Sequence, residues 1–236
     1  MQDIVRSSDR GHAHHGWLTS HHSFSFASYF DPRRMGFRAL RVLNDDTVAP
    51  GTGFGRHGHQ DMEIVTVVLS GALEHKDSMG NGSIMRAGDV QRMSAGTGVL
   101  HSEANPSKTE AAHFLQIWVH PDVPGHAPSY AQARFDEAAR RGRFVPVVSG
   151  DGREGSLTWH QDAVLALASL DAARDGEAPV EVRVHKGRAA YVHVASGEVQ
   201  VNGERLVAGD ALALTDVERV SFAGARDAQV LLFDLA

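Results

Sequence analysis

Short apolar runs, each cut off by a glycine turn, constrain this chain more than any other feature. In Glu63-Ile64-Val65-Thr66-Val67-Val68-Leu69 the side chains are almost all apolar, several are β-branched, and Ser70-Gly71 ends the run. This reads as a strand buried on both faces or at the centre of a sheet. Comparable segments occupy residues 37–43, 84–93 (with Gly88 as the turn), 114–119, 163–167, 180–184, 190–194, 198–201 and 230–233. The 24 glycines and 8 prolines are spread between them as turn punctuation. An all-β chain of many short strands follows, each half a barrel or sandwich.

A weak internal repeat points to two similar halves. Leu69-Ser70-Gly71 followed by Ala87-Gly88-Asp89 is echoed by Ala195-Ser196-Gly197 followed by Ala208-Gly209-Asp210. Between them, Pro121, Pro124, Gly125 and Pro128 mark a boundary. Residues 134–143 form the best helix candidate, with Asp136 and Glu137 early, Arg140 and Arg141 late, and Gly142 at the cap. The expected organisation is an N-terminal domain over 1–125, a linker with a short helix over 126–145 and a C-terminal domain over 146–236. A chain of 236 residues is long enough for two small domains or one large one.

The chemistry concentrates in residues 53–103. Gly53-Phe54-Gly55 leads into His57-Gly58-His59, and Gly96-Thr97-Gly98 leads into His101-Ser102-Glu103. In a strand, residues i and i+2 project to one face, so each pair can aim two donors at one point. Three imidazoles and a carboxylate meeting in this way make an open transition-metal site. The chain has no cysteine, which removes thiolate ligands, disulfides and cysteine nucleophiles and leaves nitrogen and oxygen to hold any metal. Aligning Ser70 with Ser196 sets Arg183, His185 and Ala189 opposite His57, His59 and Glu63. Aligning Asp89 with Asp210 sets Phe222 and Gly224 opposite His101 and Glu103. The second half repeats the scaffold with only one of the donors, His185, so one metal per chain is expected.

Other histidines, at 12, 14, 15, 21 and 22, read as exposed or as partners of backbone groups. The aromatic run Phe24, Phe26, Tyr29 and Phe30, with Phe54, can either wall a pocket for a flat ligand or belong to the core. A net charge of −6 gives no reason to expect a nucleic-acid partner. The N-terminus has no apolar signal segment and no window of about 18 apolar residues occurs, so a cytoplasmic protein without a membrane partner is expected. Nothing in the sequence indicates an oligomeric state.

Several motifs resemble those of the pirin family of the cupin superfamily. They are His15-Gly16-Trp17-Leu18, His22-Ser23-Phe24-Ser25-Phe26, Asp31-Pro32 with Met35-Gly36-Phe37, Leu40-Arg41-Val42-Leu43-Asn44-Asp45-Asp46, His57-Gly58-His59, Gly88-Asp89-Val90-Gln91, and Ser94-Ala95-Gly96-Thr97-Gly98 with His101-Ser102-Glu103. The resemblance covers the N-terminal half continuously and is looser beyond it. It implies a bicupin, two antiparallel β-barrels (double-stranded β-helices), with the metal in the N-terminal one. It also implies a quercetin 2,3-dioxygenase activity on a small aromatic substrate and O2, releasing carbon monoxide; a metal-binding regulatory or sensor protein without turnover is the alternative, and a cupin isomerase or epimerase a third. The implied ligands are His57, His59, His101 and Glu103. The implied metal is Fe(II), with Mn, Co, Ni, Cu or Zn as substitutes. A general cupin pattern would instead take the carboxylate from Glu63, four residues after His59. Glu103 is preferred because it lies two residues from His101, on the same strand face. Glu103 or Glu63 would accept the substrate proton, and Glu63 can otherwise orient an imidazole.

Overall fold

The computed structural model describes residues 1–175 and 178–236 and divides into two compact units. One comprises Gly11–Arg134 with Leu157–Gln161; the other comprises Met1–Arg10, Phe135–Ser156 and Asp162–Ala236. The strands up to the end of the first unit's main segment are β1 (Gln2–Val5), β2 (Gly11–His14), β3 (Leu18–His22), β4 (Leu40–Val48), β5 (Gly53–His59), β6 (Glu63–Ser70), β7 (Ala72–Asp77), β8 (Gly82–Arg86), β9 (Asp89–Ser94), β10 (Val99–Ala104), β11 (Ala112–Val119) and β12 (Ser129–Arg134). Those that follow are β13 (Val145–Ser149), β14 (Leu157–Thr158), β15 (Ala163–Leu170), β16 (Val180–Arg183), β17 (Ala189–Val201), β18 (Glu204–Val207), β19 (Ala211–Thr215) and β20 (Arg219–Leu235).

In the first unit, a seven-stranded sheet runs β12-β9-β6-β11-β4-β3-β2 and a four-stranded sheet runs β5-β10-β7-β8. Leu18, Val48, Val68, Ala112 and Phe114 from the first sheet meet Leu73 and Met85 from the second in one buried cluster. The apolar faces of both sheets are satisfied by this sandwich. Gly71, at φ +73°, turns the chain from β6 into β7; a Cβ there would lie 2.4 Å from the Ala111 carbonyl oxygen, so the turn accepts only glycine.

The second unit holds β1-β19-β17-β20-β15-β13, with β16 on β20 and β18 on β17. Its core includes Val192, Val194, Leu212, Leu214, Phe222, Val230 and Leu232. The repeat in the sequence has a backbone counterpart: Gly71 and Gly197 have φ of 73° and 71°, and Gly88 and Gly209 have 92° and 85°.

Several expectations are corrected. The sheets are open rather than closed barrels: in the first unit the edge strands β2, β12, β5 and β8 are not paired to one another and its two sheets pack face to face, and the second unit is built on one sheet. The helix over 134–143 is not formed. Arg134 ends β12, Asp136 is extended and makes no side-chain cap, and only Glu137–Arg140 make a single 3-10 turn. The linker is therefore not helical. Residues 23–27, whose polar and apolar side chains alternate as in a half-buried strand, form a turn instead, in which the Ser25 hydroxyl bonds the backbone of Asp31 and Ala27 has φ +49°. The units also depart from boundaries at 125 and 146, because β1 pairs with β19 and draws Met1–Arg10 into the second unit.

Candidate metal centre

β5 and β10 are antiparallel neighbours, with His101 opposite His57 and Val99 opposite His59. His57 and His59 share a face of β5, and pairing sets His101 beside them on the same face. The ring centroids are 4.5 Å apart for His57–His101 and 4.8 Å for both His57–His59 and His59–His101. One ring nitrogen from each lies within 4.8 Å of the other two. The register slips between His101 and Glu103, so that Glu103 pairs with Phe54. The extra residue lies on β5, between Phe54 and His57, while β10 runs in regular register against β7 and keeps His101 and Glu103 on one face. Gly53 permits the close approach, since a Cβ there would lie 2.3 Å from the Glu103 carbonyl oxygen and 2.5 Å from the Ala104 Cα.

The imidazoles are set up as neutral donors. His57 Nδ1 lies 2.7 Å from the Gly55 carbonyl oxygen; a carbonyl only accepts, so Nδ1 carries the proton and Nε2 a lone pair. His57 Nε2 is 3.0 Å from His101 Nε2. Two ligand bonds of about 2.1 Å at a right angle span about 3.0 Å, so the pair is spaced as two neighbouring donors of one ion. Burial, with the neighbouring histidines adding like charge, lowers His101 to about 3, and burial with His57 lowers His59 to about 4. These residues fit a divalent transition metal: three converging imidazoles, His59 and His101 held neutral by burial, with a carboxylate beside them.

Glu103 is only 2% exposed. Its Oε2 accepts from Gln116 Nε2 at 2.8 Å, and its Oε1 lies 3.4 Å from the Thr66 hydroxyl, which also lies 3.2 Å from Gln116 Oε1. Burial first, and the nearby Asp46 second, raise its carboxyl to about 7. Its oxygen shares the 4.8 Å donor spacing with His101 and His75, not with His57, His59 and His101 as a set. The metal-free side chain is thus held by the floor of the site.

That floor is a row of polar residues crossing the seven-stranded sheet. Gln91 pairs with Thr66, Thr66 with Gln116, Gln116 with Asn44, and Asn44 with His22. Directly paired residues of an antiparallel sheet face one side. The sequence signal was a lone polar residue inside each apolar run, Thr66 in β6 and Gln116 in β11, and periodicity alone did not single them out.

Above the floor is a cavity of about 650 Å3, measured out to its open mouth, with Leu18, Phe26, Phe54, Ile64 and Trp118 as apolar walls and His57, His59, His101 and Glu103 among its lining. Trp118 packs edge-on against His59 at 4.9 Å and against Phe26 at 5.3 Å. The aromatic run divides: Phe26 lines the cavity, Phe24 is buried core and Phe30 is 70% exposed. Of the early histidines, His15 and His22 reach the cavity, and His22 is buried against Asn44 at 2.8 Å. Glu63 lies elsewhere. Its neighbours in sequence, Ile64 and Thr66, face the cavity and floor, whereas Glu63 accepts from Ser94 at 2.7 Å and pairs with His160 Nδ1 at 2.9 Å, outside the cavity lining.

Residues 5–119 match the pirin family and 146–235 the quercetinase C-terminal cupin domain. The chain is 48% identical over 232 residues to the quercetin 2,3-dioxygenase of Escherichia coli strain K12, covering 98% of this chain and 97% of that one. The chain belongs to the pirin family. A pirin-like protein of Caulobacter vibrioides is 43% identical, with 96% of both chains covered. The crystal structure of the bacterial pirin YhhW of Escherichia coli in complex with nickel(II) superposes with a TM-score of 0.93 at 46% identity, over 100% of this pirin and 99% of that chain.

Proposed function

We propose that this pirin is a metal-dependent dioxygenase that cleaves a flavonol such as quercetin with O2, using one divalent metal in the N-terminal cupin. The observation that carries this reading is the convergence of three imidazoles at the base of an aromatic-walled cavity, with His57 Nε2 and His101 Nε2 3.0 Å apart. The names of its bacterial relatives support the substrate class. His57, His59, His101 and Glu103 would hold the ion, Fe(II) in the first instance, and nickel(II) in the YhhW complex shows that a relative accepts another divalent metal. When bound, the metal supplies Lewis acidity, lowering the pKa of a substrate hydroxyl, and contact with dioxygen.

The chain's own residues do the rest. Phe26, Phe54 and Trp118 receive a flat aromatic ring and exclude water from it. Glu103, the carboxylate beside the three imidazoles, takes the proton of the substrate hydroxyl. Gln116 and Thr66 hold that carboxyl in place as it gains and loses the proton. Glu63 has no part in proton transfer and serves the packing of β6 against Ser94 and His160. The second cupin carries no metal.

The test is quercetin mixed with metal-loaded protein in air, following flavonol absorbance and oxygen uptake beside a His101→Ala control. Flavonol and oxygen should be consumed with wild type and persist with the control. Metal bound through His101 without consumption of either would leave the protein a metal-binding sensor.

A further inference from the structure

Behind His101 lies a second buried histidine that the three-imidazole group does not use. His75, on β7, has its side chain fully buried, as does Asp77 two residues on. His75 Nε2 is 3.1 Å from Asp77 Oδ2; its Nδ1 is 3.4 Å from His101 Nδ1 and 3.4 Å from Gln91 Nε2. The ring lies against Tyr130, with centroids 4.8 Å apart and planes at 28°. Asp77 is itself anchored: Oδ1 accepts from the backbone N–H of Met79 and Asn81 at 2.9 and 3.0 Å, and Oδ2 from Asn81 Nδ2 at 2.9 Å. Burial raises its carboxyl, but the donors of Asn81 and His75 outweigh this and hold it ionised.

The positions of the protons follow from these partners. A carboxylate only accepts, so His75 Nε2 carries the hydrogen. The neutral ring then has a lone pair on Nδ1, which the Gln91 amide N–H approaches as a donor. His101 Nδ1, facing the same lone pair, must donate its own hydrogen. A neutral His101 protonated on Nδ1 has its lone pair on Nε2, the atom 3.0 Å from His57 Nε2. Donor and acceptor complementarity fixes each of these steps, and the last leaves the Nε2 lone pairs of His101 and His57 facing each other, a pair that only a cation between them satisfies.

We propose that Asp77 and His75 are positioning residues that fix the tautomer of His101, keeping its hydrogen on Nδ1 and leaving Nε2 free to bind the metal. The inference rests on the reading of His101 as a ligand. Asp77→Asn tests it sharply. The two backbone N–H groups hold the amide oxygen of an asparagine at the Oδ1 position, which turns its NH2 toward His75 Nε2. His75 must then accept at Nε2 and donate from Nδ1, and His101 is driven to the Nε2–H form. His75→Phe keeps the ring against Tyr130 without an acceptor. His75→Gln offers an amide oxygen to His101 and should restore the wild-type state.

Two readouts are needed. In metal-free protein, two-bond 1H–15N correlations should show His101 as Nδ1–H in wild type and His75→Gln, and as Nε2–H in Asp77→Asn. Titration with Ni(II) should show affinity lowered about 10- to 100-fold in Asp77→Asn and His75→Phe, the usual loss for an outer partner of a ligand, and recovered in His75→Gln. An Nε2–H tautomer of His101 in wild type overturns the proposal, as does an Asp77→Asn protein with unchanged tautomer and affinity. A second Ni(II) equivalent per chain that disappears in His75→Phe would make His75 a ligand and also overturn it. If His101→Ala binds Ni(II) as tightly as wild type, the ligand reading fails, and the tautomer of the metal-free protein still decides the relay.

Discussion

Replacing Glu103 by glutamine separates the two things this carboxyl does. In the metal-free protein the folded state keeps the Glu103 proton up to about 7, whereas an unfolded glutamate releases it near its ordinary 4.5. Between these values the unfolded chain binds fewer protons, so stability falls as pH rises from 4.5 to 7 and stays at the lower level above it. Carrying a carboxyl over that interval amounts to on the order of 3 kcal/mol. Glutamine keeps the shape and the contacts to Thr66 and Gln116 but has no proton to lose, so the stability of Glu103→Gln relative to wild type should rise by about that amount across the window. His59 and His101 act with the opposite sign between their folded values of about 4 and about 3 and the ordinary 6.5, a window that overlaps that of Glu103, but they are common to both proteins and cancel in the comparison. Trp17, Trp118 and Trp159 all belong to the first unit, so tryptophan fluorescence during urea unfolding of chelator-treated protein reports it selectively. Added Ni(II) should reverse the ranking, because a neutral amide is a poor ligand: the affinity loss in Glu103→Gln should exceed about 100-fold, the upper range for an outer partner. Parallel pH profiles for the two proteins, together with equal Ni(II) affinity, would refute both the protonation and the ligand role.

Chelation of the loaded protein should destabilise the first unit by about 2.7 kcal/mol when metal had been present at 100 times its Kd, read by the same fluorescence; an unchanged midpoint would mean that no ion had been held. Gly53→Ala should cost about 1–3 kcal/mol by overpacking and also weaken metal binding, since its Cβ presses on the backbone of Glu103 and Ala104; thermal melts and Ni(II) titration check both effects. Glu63→Gln should cost about 1–3 kcal/mol for the buried partners left behind while oxygen uptake with quercetin is retained. Loss of uptake in a fully folded Glu63→Gln protein would return Glu63 to the proton-transfer step.

Much of the metal centre was legible in local patterns. The i, i+2 spacing of His57 with His59 and of His101 with Glu103 depends on strand geometry alone. Glycine turns mark where strands stop, and the echo of Gly71 and Gly88 at Gly197 and Gly209 carries over into matching backbone angles. The failures were of another kind. The helix over 134–143 had helix-like charges at its ends, but Asp136 stays extended and Arg134 is held in β12 by its pairing with Asp89. Its local preference lost to a sheet edge.

What the sequence by itself determined is the candidate donors and which of them share a strand face, because the alternation of side chains has a period of two whatever the strand pairs with. Only the tertiary structure decided which strands meet. The register of β5 on β10 sets His101 opposite His57, and the packing of this sheet against the seven-stranded one hands Glu103 to Thr66 and Gln116. Glu63 and Thr66 stand in one strand, yet odd spacing sends them to opposite faces, and only the neighbouring strands say which face holds the cavity. Asp77 stands two residues from His75 on the same strand face, but Gln91 and His101 reach His75 only through pairing between β7 and β10 and packing between sheets. Local periodicity carries a side chain's direction; long-range hydrogen bonding carries its neighbours.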